Sequence, residues 1–477
     1  MRTFSPRRLA TVFALLLTTS TAAAVALPAP ASAMLMGVEA NGELLNPDRT
    51  PAQQAESLDR IASQGARLAR VNVSWKQIAS YCNGQTLSAL RNDKNACYDW
   101  SSLDSLVSLA QARDIQLLFS VSRVPFWLQH SSNPMYIGTS SAAWTRTVQF
   151  YPAFITAIAT RYNSSSTIGT VKLWTIWNEP NSKTFWWPLA TRAQRAMAPT
   201  RYAILYGASA KALKAANPTA TVAPGPTGPN STIKPVPYIT AFQKVVARYL
   251  PGRTIYQKRR YLGAWAHNPY PVIYAPTGNP RYGYNSYKDR NALGFSDTRE
   301  LARLLDSAPI TRGLKIWATE FGWETNPPER TAFGIPTYLQ ARYIAEGYDL
   351  LDATGRVSIG VSYVLTDPTQ PADFQSGTFF SNGKPKPSYY AYQRMISTSS
   401  TKVRRGQAIS IYAKANTDPR RTAIMYSTNG YTGWRVLPGA RRADGSIRRS
   451  LRMTRTLYFA TWDGTKRGPK RGVLVRR

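Results

Sequence analysis

The stretch Lys172-Leu173-Trp174-Thr175-Ile176-Trp177-Asn178-Glu179-Pro180-Asn181 is an apolar, β-prone run that passes directly into Asn-Glu-Pro. It predicts a buried strand that delivers a carboxylate at its C-terminal end, with Pro180 fixing the exit. A second stretch has the same construction, Ile316-Trp317-Ala318-Thr319-Glu320-Phe321-Gly322-Trp323. Working outward from these two, strand-like runs alternate with helical patterns. Strands are expected at 35–39, 69–73, 115–121, 172–177, 220–223, 262–265, 314–319 and 357–364. Helices are expected at 51–64, 103–112, 143–162, 201–216, 238–249, 298–305, 337–351 and 388–395. Eight consecutive β/α units favour a closed parallel barrel over an open sheet, so the predicted fold class is α/β, a (β/α)8 TIM barrel. Chemistry on such a barrel sits where the strands end.

The chain has 477 residues, 43% hydrophobic and 18% charged, which excludes a disordered protein. Two cysteines exclude a disulfide-framework scaffold, and two histidines exclude most histidine-based metal sites. No metal and no organic cofactor is expected. Residues 1–33 read as a secretory signal: Arg2, Arg7 and Arg8 precede a broken apolar stretch, and Ala31-Ser32-Ala33 offers a cleavage site. The mature protein is then extracellular and starts near Met34, with no further stretch apolar enough to span a membrane. In an oxidising compartment, Cys82 and Cys97 are expected to form a disulfide rather than remain two free thiols.

Charge divides the chain. The net charge is +35, from 60 basic and 25 acidic residues. Residues 401–477 hold 19 basic residues against three acidic ones, a density several times that of 34–400. The change near Ser400 predicts a barrel domain over 34–396, a linker at 397–401 and a basic domain at 402–477. In the last, alternating runs such as Ala408-Ile409-Ser410-Ile411-Tyr412 are separated by turns at Asn429-Gly430, Asp444-Gly445 and Asp463-Gly464, the pattern of a small all-β sandwich.

Glu179 and Glu320 end the fourth and seventh strands, across the barrel mouth from one another. Two carboxyl groups facing each other are what glycoside hydrolysis with retention requires. On Trp-Asn-Glu-Pro and Thr-Glu-Phe-Gly-Trp at these strand positions, the chain over roughly 34–395 resembles a glycoside hydrolase of clan A, nearest to families 5 and 39, the cellulase-like group. The resemblance implies Glu179 as general acid/base and Glu320 as nucleophile, with Asn178 bonding the sugar 2-hydroxyl. It implies Arg70 as the arginine that keeps the nucleophile ionised. Tyr270 would donate to the nucleophile and His267 would line the sugar site, both in Trp265-Ala266-His267-Asn268-Pro269-Tyr270. Trp127 resembles a cleft-wall aromatic. Trp186 and Trp187 follow the acid/base in sequence and are candidate sugar platforms, as is Trp323 beside Glu320. Two departures leave the substrate open: strand eight ends Tyr363-Val364-Leu365 without a tryptophan, and Ser122-Arg123 stands where family 5 has a histidine. The basic domain resembles the immunoglobulin-like modules of secreted bacterial proteins.

The reading that follows is a secreted retaining glycosidase acting on a poly- or oligosaccharide, with the basic domain available to an anionic cell-wall polymer. The alternative is a non-catalytic carbohydrate- or wall-binding protein on the same scaffold. Specific nucleic-acid binding is not expected of an exported chain.

Overall fold

The computed structural model describes residues 34–278, 288–328, 333–370 and 373–476. The expected signal segment lies outside them. Eight parallel strands form the barrel: β1 (Leu35–Glu39), β2 (Leu68–Ser74), β3 (Gln116–Ser122), β4 (Leu173–Ile176), β5 (Thr221–Pro224), β6 (Ala264–His267), β7 (Lys315–Phe321) and β8 (Val357–Tyr363). The hydrogen-bonded order is β5-β4-β3-β2-β1-β8-β7-β6. Between β5 and β6 the ring is completed by single bonds, Gly263 N to Val222 O at 2.9 Å and Asn268 N to Thr227 O at 3.1 Å. Eight helices flank the strands: α1 (Pro51–Ser63), α2 (Ser101–Gln111), α3 (Ser141–Arg161), α4 (Arg192–Ala216), α5 (Pro235–Val245), α6 (Thr298–Asp306), α7 (Thr337–Ala353) and α8 (Pro387–Gln393).

Period-two alternation assigns each strand residue to the barrel interior or to the layer under the helices. Leu68, Leu118, Ala264, Ala266, Trp317, Ile359 and Val361 form one buried cluster, separate from the large outer core that contains Val38, Val71, Val73 and Ile316. On β1, Glu39 shares its face with Leu35 and Gly37. On β2, Arg70 shares its face with Leu68. Both polar groups therefore point inward one layer above the apolar plug.

The last eight strands are β9 (Arg394–Thr398), β10 (Lys402–Arg404), β11 (Ala408–Ala415), β12 (Ala423–Ser427), β13 (Arg435–Leu437), β14 (Ile447–Arg452), β15 (Leu457–Trp462) and β16 (Arg471–Arg476). They make a five-stranded sheet, β10-β16-β15-β12-β13, and a three-stranded sheet, β14-β11-β9. Ile396, Ile409, Ile411, Ile424, Phe459 and Val473 are buried together as the core of this sandwich. Three acids one helical turn apart on α7 face it: Asp349 meets Arg448 at 2.5 Å, Asp352 meets Arg442 at 2.5 Å, and Glu346 pairs with Arg471.

Three expectations shift. Helix α4 begins nine residues early, because Thr191 and Gln194 form a reciprocal capping box that starts it at Arg192. Helix α8 ends at Gln393, and Met395, expected in a helix, is in β9. The expected linker at 397–401 is in part this strand, since Ser397 and Thr398 pair with Tyr412 and Ile411. Its Ser/Thr composition satisfies a sheet ladder as readily as a loop.

Candidate active site

Two local devices aim the glutamates. Strand β4 stops at Ile176, and the chain turns through Trp177 (φ 70°) and Glu179 (φ 37°), both in the left-handed region that side chains other than glycine disfavour. The turn is over-determined. Trp177 is fully buried against Tyr151 and Trp186, and its amide donates to Val121 O at 2.9 Å. Asn181 then staples the loop after β5 beneath the turn, donating from Nδ2 to Gly228 O (3.0 Å) and Ile233 O (2.9 Å) while its Oδ1 accepts from Gly228 N (3.2 Å). A Cβ on Gly228 would lie 2.5 Å from Glu179 Oε2, so only glycine leaves room for the carboxylate.

On β7 the device is a register shift. Ile316 and Ala318 belong to the outer core, and strict alternation would send Glu320 the same way. The β7–β8 ladder is irregular between Ala318 and Phe321, which allows Glu320 to leave that face for the mouth.

Around Glu320 the partners are a cation and a phenol. Arg70 Nη1 lies 2.5 Å from Glu320 Oε1, and Tyr270 donates its hydroxyl to Glu320 Oε2 at 2.8 Å. Arg70 Nη2 also donates to Asn178 Oδ1 at 3.0 Å, which leaves the Asn178 amide NH2 to donate elsewhere. Around Glu179 the partners are neutral. Asn268 Nδ2 donates to its Oε1 at 2.8 Å, and the Ser231 hydroxyl bonds to it as well. Asn268 is itself fixed by Thr319, whose hydroxyl donates to Asn268 Oδ1 at 2.7 Å. Burial first, and then the charge of Glu320, push the Glu179 carboxyl up to about 7.

Of the expected residues, the structure brings together Arg70, Asn178, Glu179, Tyr270 and Glu320. His267 is adjacent but does not face the mouth. Its Nε2 lies 2.7 Å from Leu293 O, which can only accept, so Nδ1 takes the Thr227 hydroxyl at 2.8 Å. With both ring nitrogens used and burial holding its pKa down to about 4, it is a neutral strut rather than a sugar ligand. Three expected platforms are core residues. Trp127 is buried and donates to Ala79 O at 2.6 Å. Trp186 is enclosed by Trp144, Trp177 and Tyr202. Trp323 is fully buried and donates to Tyr274 O at 2.8 Å. Trp187 alone is exposed, at 40%, with its ring 4.9 Å from that of Tyr136. Cys82 and Cys97 are disulfide-bonded with Cα atoms 4.9 Å apart.

The sequence reading missed four contributors. Glu39 ends β1 and is buried, and burial pushes its carboxyl up to about 8 against the opposing pull of Arg70. The signal was present, since Leu35-Met36-Gly37-Val38-Glu39 is again an apolar strand ending in a carboxylate. Asn268 follows β6 directly. Tyr363 and Phe374 pack edge-on to Tyr270 at centroid distances of 5.9 and 5.4 Å, and to each other at 5.5 Å. They supply an aromatic wall beside the end of β8, the strand that ends without a tryptophan. Phe374 comes from the loop after β8 and had no sequence signal.

Comparison with known proteins follows the same lines. Residues 48–244 match the family model for glycosyl hydrolases family 39, a region that contains Glu179 and ends before Glu320. No curated protein matches the chain in sequence. Among solved structures, a family 39 glycoside hydrolase from Bacteroides cellulosilyticus is similar over 93% of this chain and 81% of its own, at 16% identity and a TM-score of 0.55. A glucosidase from Croceicoccus marinus is similar over 81% of this chain and 76% of its own, at 14% identity and a TM-score of 0.52. A β-glucuronidase of Bacteroides uniformis is similar over 93% of this chain at 12% identity and a TM-score of 0.50; the similarity spans 46% of that enzyme. At these identities the likeness is one of fold.

Proposed function

We propose that this chain, a glycoside hydrolase by its matched region, cleaves O-glycosidic bonds with retention through Glu320 and Glu179. The observation that carries the reading is the unequal surroundings of two neighbouring carboxyl groups at the ends of β4 and β7. Environments that separate two acids in this way assign one as proton donor and the other as nucleophile.

Glu320, held by Arg70 and Tyr270, attacks the anomeric carbon. As the bond from that carbon to the leaving oxygen breaks, Glu179 gives its proton to the oxygen. The sugar is then esterified to Glu320. A water enters, Glu179 takes its proton, and the resulting hydroxide displaces Glu320 from the anomeric carbon. The Asn178 amide donates to the sugar 2-hydroxyl, and Tyr363 with Phe374 bounds the ring. No step calls on a metal or a cofactor.

Two further parts belong to the reading. Residues 1–33 direct export; the Cys82–Cys97 disulfide fits an oxidising compartment, and among the described residues no helix is long and apolar enough to cross a membrane. The sandwich holds an anionic wall polymer. Its support is a cluster at one end: Arg404 and Arg476 are directly paired in register, and Arg452 donates to Gly406 O at 3.3 Å. These three arginines form no ion pair with a carboxylate among the described residues. Like charges held together without acids are stabilised by a polyanion.

The test is reducing-sugar release by the mature protein across β-linked plant, fungal and bacterial polysaccharides, with Glu320→Gln in parallel. Release that vanishes in the variant is expected. Equal release by both proteins, or none on any glycan, overturns the reading.

A further inference from the structure

The proposed chemistry uses one sugar position and leaves unused a polar cavity of about 350 Å³ at the ends of β1, β2 and β3. That volume is at the lower end of ordinary small-ligand sites, roughly 300–1,000 Å³. Its walls include Asn41, Asn72, Ser74, Gln77, Lys76 and Arg123. The cavity adjoins the catalytic pair through a single residue. Glu39 Oε1 accepts from Asn41 N at 3.3 Å and lies 3.4 Å from Asn72 Nδ2, and the same carboxyl feels the charges of Arg70 and Glu320.

The two cations are what give the cavity a ligand class. Lys76 and Arg123 are both exposed, and neither has an ion pair among the described residues. Their backbones are tied together, with Lys76 N donating to Arg123 O at 3.0 Å. Arg123 holds φ at 72°, a conformation its side chain disfavours and the surrounding loop enforces. Two of the acids near the cavity are hydrogen-bonded outside it. Glu43 Oε1 accepts from Thr366 N at 2.9 Å, and Asp99, on an adjoining cavity, accepts from Ser101 N and Oγ at 3.1 and 2.6 Å. Amides that match sugar hydroxyls stand beside a guanidinium and an ammonium that match an anion.

We propose that this cavity binds an anionic sugar unit of the substrate, a uronate or sulfate-bearing residue next to the sugar transferred to Glu320. The proposal rests on the glycosidase reading and narrows its substrate to acidic glycans.

Calorimetry on the full chain carrying Glu320→Gln, which binds without consuming the glycan, tests it. The probes are β-linked oligouronates, their carboxyl-reduced counterparts of equal length, and sulfated forms of the reduced glycans. At least one acidic glycan is expected to bind about tenfold more tightly than its neutral counterpart. Adding Lys76→Gln and Arg123→Gln is expected to remove most of that gain and to leave the neutral glycan within about twofold. The sandwich's arginines are common to both proteins, so the difference between them reports on the cavity. If only oligouronates or only sulfated forms show the loss, that result assigns the anion. Neutral glycans bound as tightly as every acidic one, or no loss in the triple variant, overturn the proposal. Hydrolysis by the otherwise wild-type chain separates the two failures. Neutral-glycan cleavage unchanged by Lys76→Gln and Arg123→Gln, with no acidic preference, sinks the cavity and leaves the glycosidase. Acidic-glycan binding without cleavage sinks the glycosidase and leaves the cavity.

Discussion

At the end of β7, Glu320 touches a guanidinium and a phenol. At the end of β4, Glu179 touches a carboxamide and a hydroxyl and has no ion pair among the described residues. The residue type is the same, and both strands lead into the same mouth. What differs is the company each carboxyl group keeps. Arg70 reaches Glu320 because it sits on the inward face of β2, while Asn268 reaches Glu179 because β6 ends one residue before it. Chemical role is therefore set by neighbours drawn from other strands, which no stretch of sequence around either glutamate displays.

The largest expected effect removes one side of the comparison. Glu320→Gln keeps the size of the side chain but removes the nucleophilic carboxylate, and it is expected to lower kcat/KM by about 10⁴-fold or more. Steady-state rates on the best substrate check this. Glu179→Gln is expected to cost about 10²–10⁴-fold on a natural glycan and far less on an aryl glycoside whose leaving group needs no proton. Equal losses on both substrates would break the assignment.

The pH profile sharpens it further. Glu179 must be protonated to act as an acid, and its carboxyl is pushed up to about 7, so activity should fall as pH rises through that value. Asn268 favours the charged form, so Asn268→Ala is expected to move the basic limb upward. Initial rates between pH 4 and 9 measure both. The smallest effect on catalysis is expected at the tryptophans. Trp186→Ala should destabilise the fold by about 3–5 kcal/mol, whereas Trp187→Ala should cost under about 1 kcal/mol, read by urea unfolding.

Much of the architecture was legible. Eight apolar runs alternating with helical patterns predicted eight strands, and a polar residue at the end of an apolar strand singled out Glu179 and Glu320, which the structure places at the ends of β4 and β7. The same rule applied to Leu35–Glu39 finds Glu39. The tryptophans were misread for a different reason. A large aromatic after a strand suits a cleft wall and a helix-packing layer equally, and Trp127, Trp186 and Trp323 went to the layer because their indole NH groups or their faces found partners there. His267 failed in the same way, with carbonyl and hydroxyl partners that only the folded chain supplies. Phe374 reaches the site from a loop whose path depends on tertiary packing.

Covalent trapping tests the central claim most directly. The protein is incubated with 2-deoxy-2-fluoroglycosyl fluorides of several sugars, and its intact mass and peptides are then analysed by mass spectrometry. The account predicts one added sugar, located on the peptide containing Glu320 and lost in Glu320→Gln. A sugar on Glu179 or Glu39, or hydrolysis of natural glycan with inversion and no adduct, would contradict it.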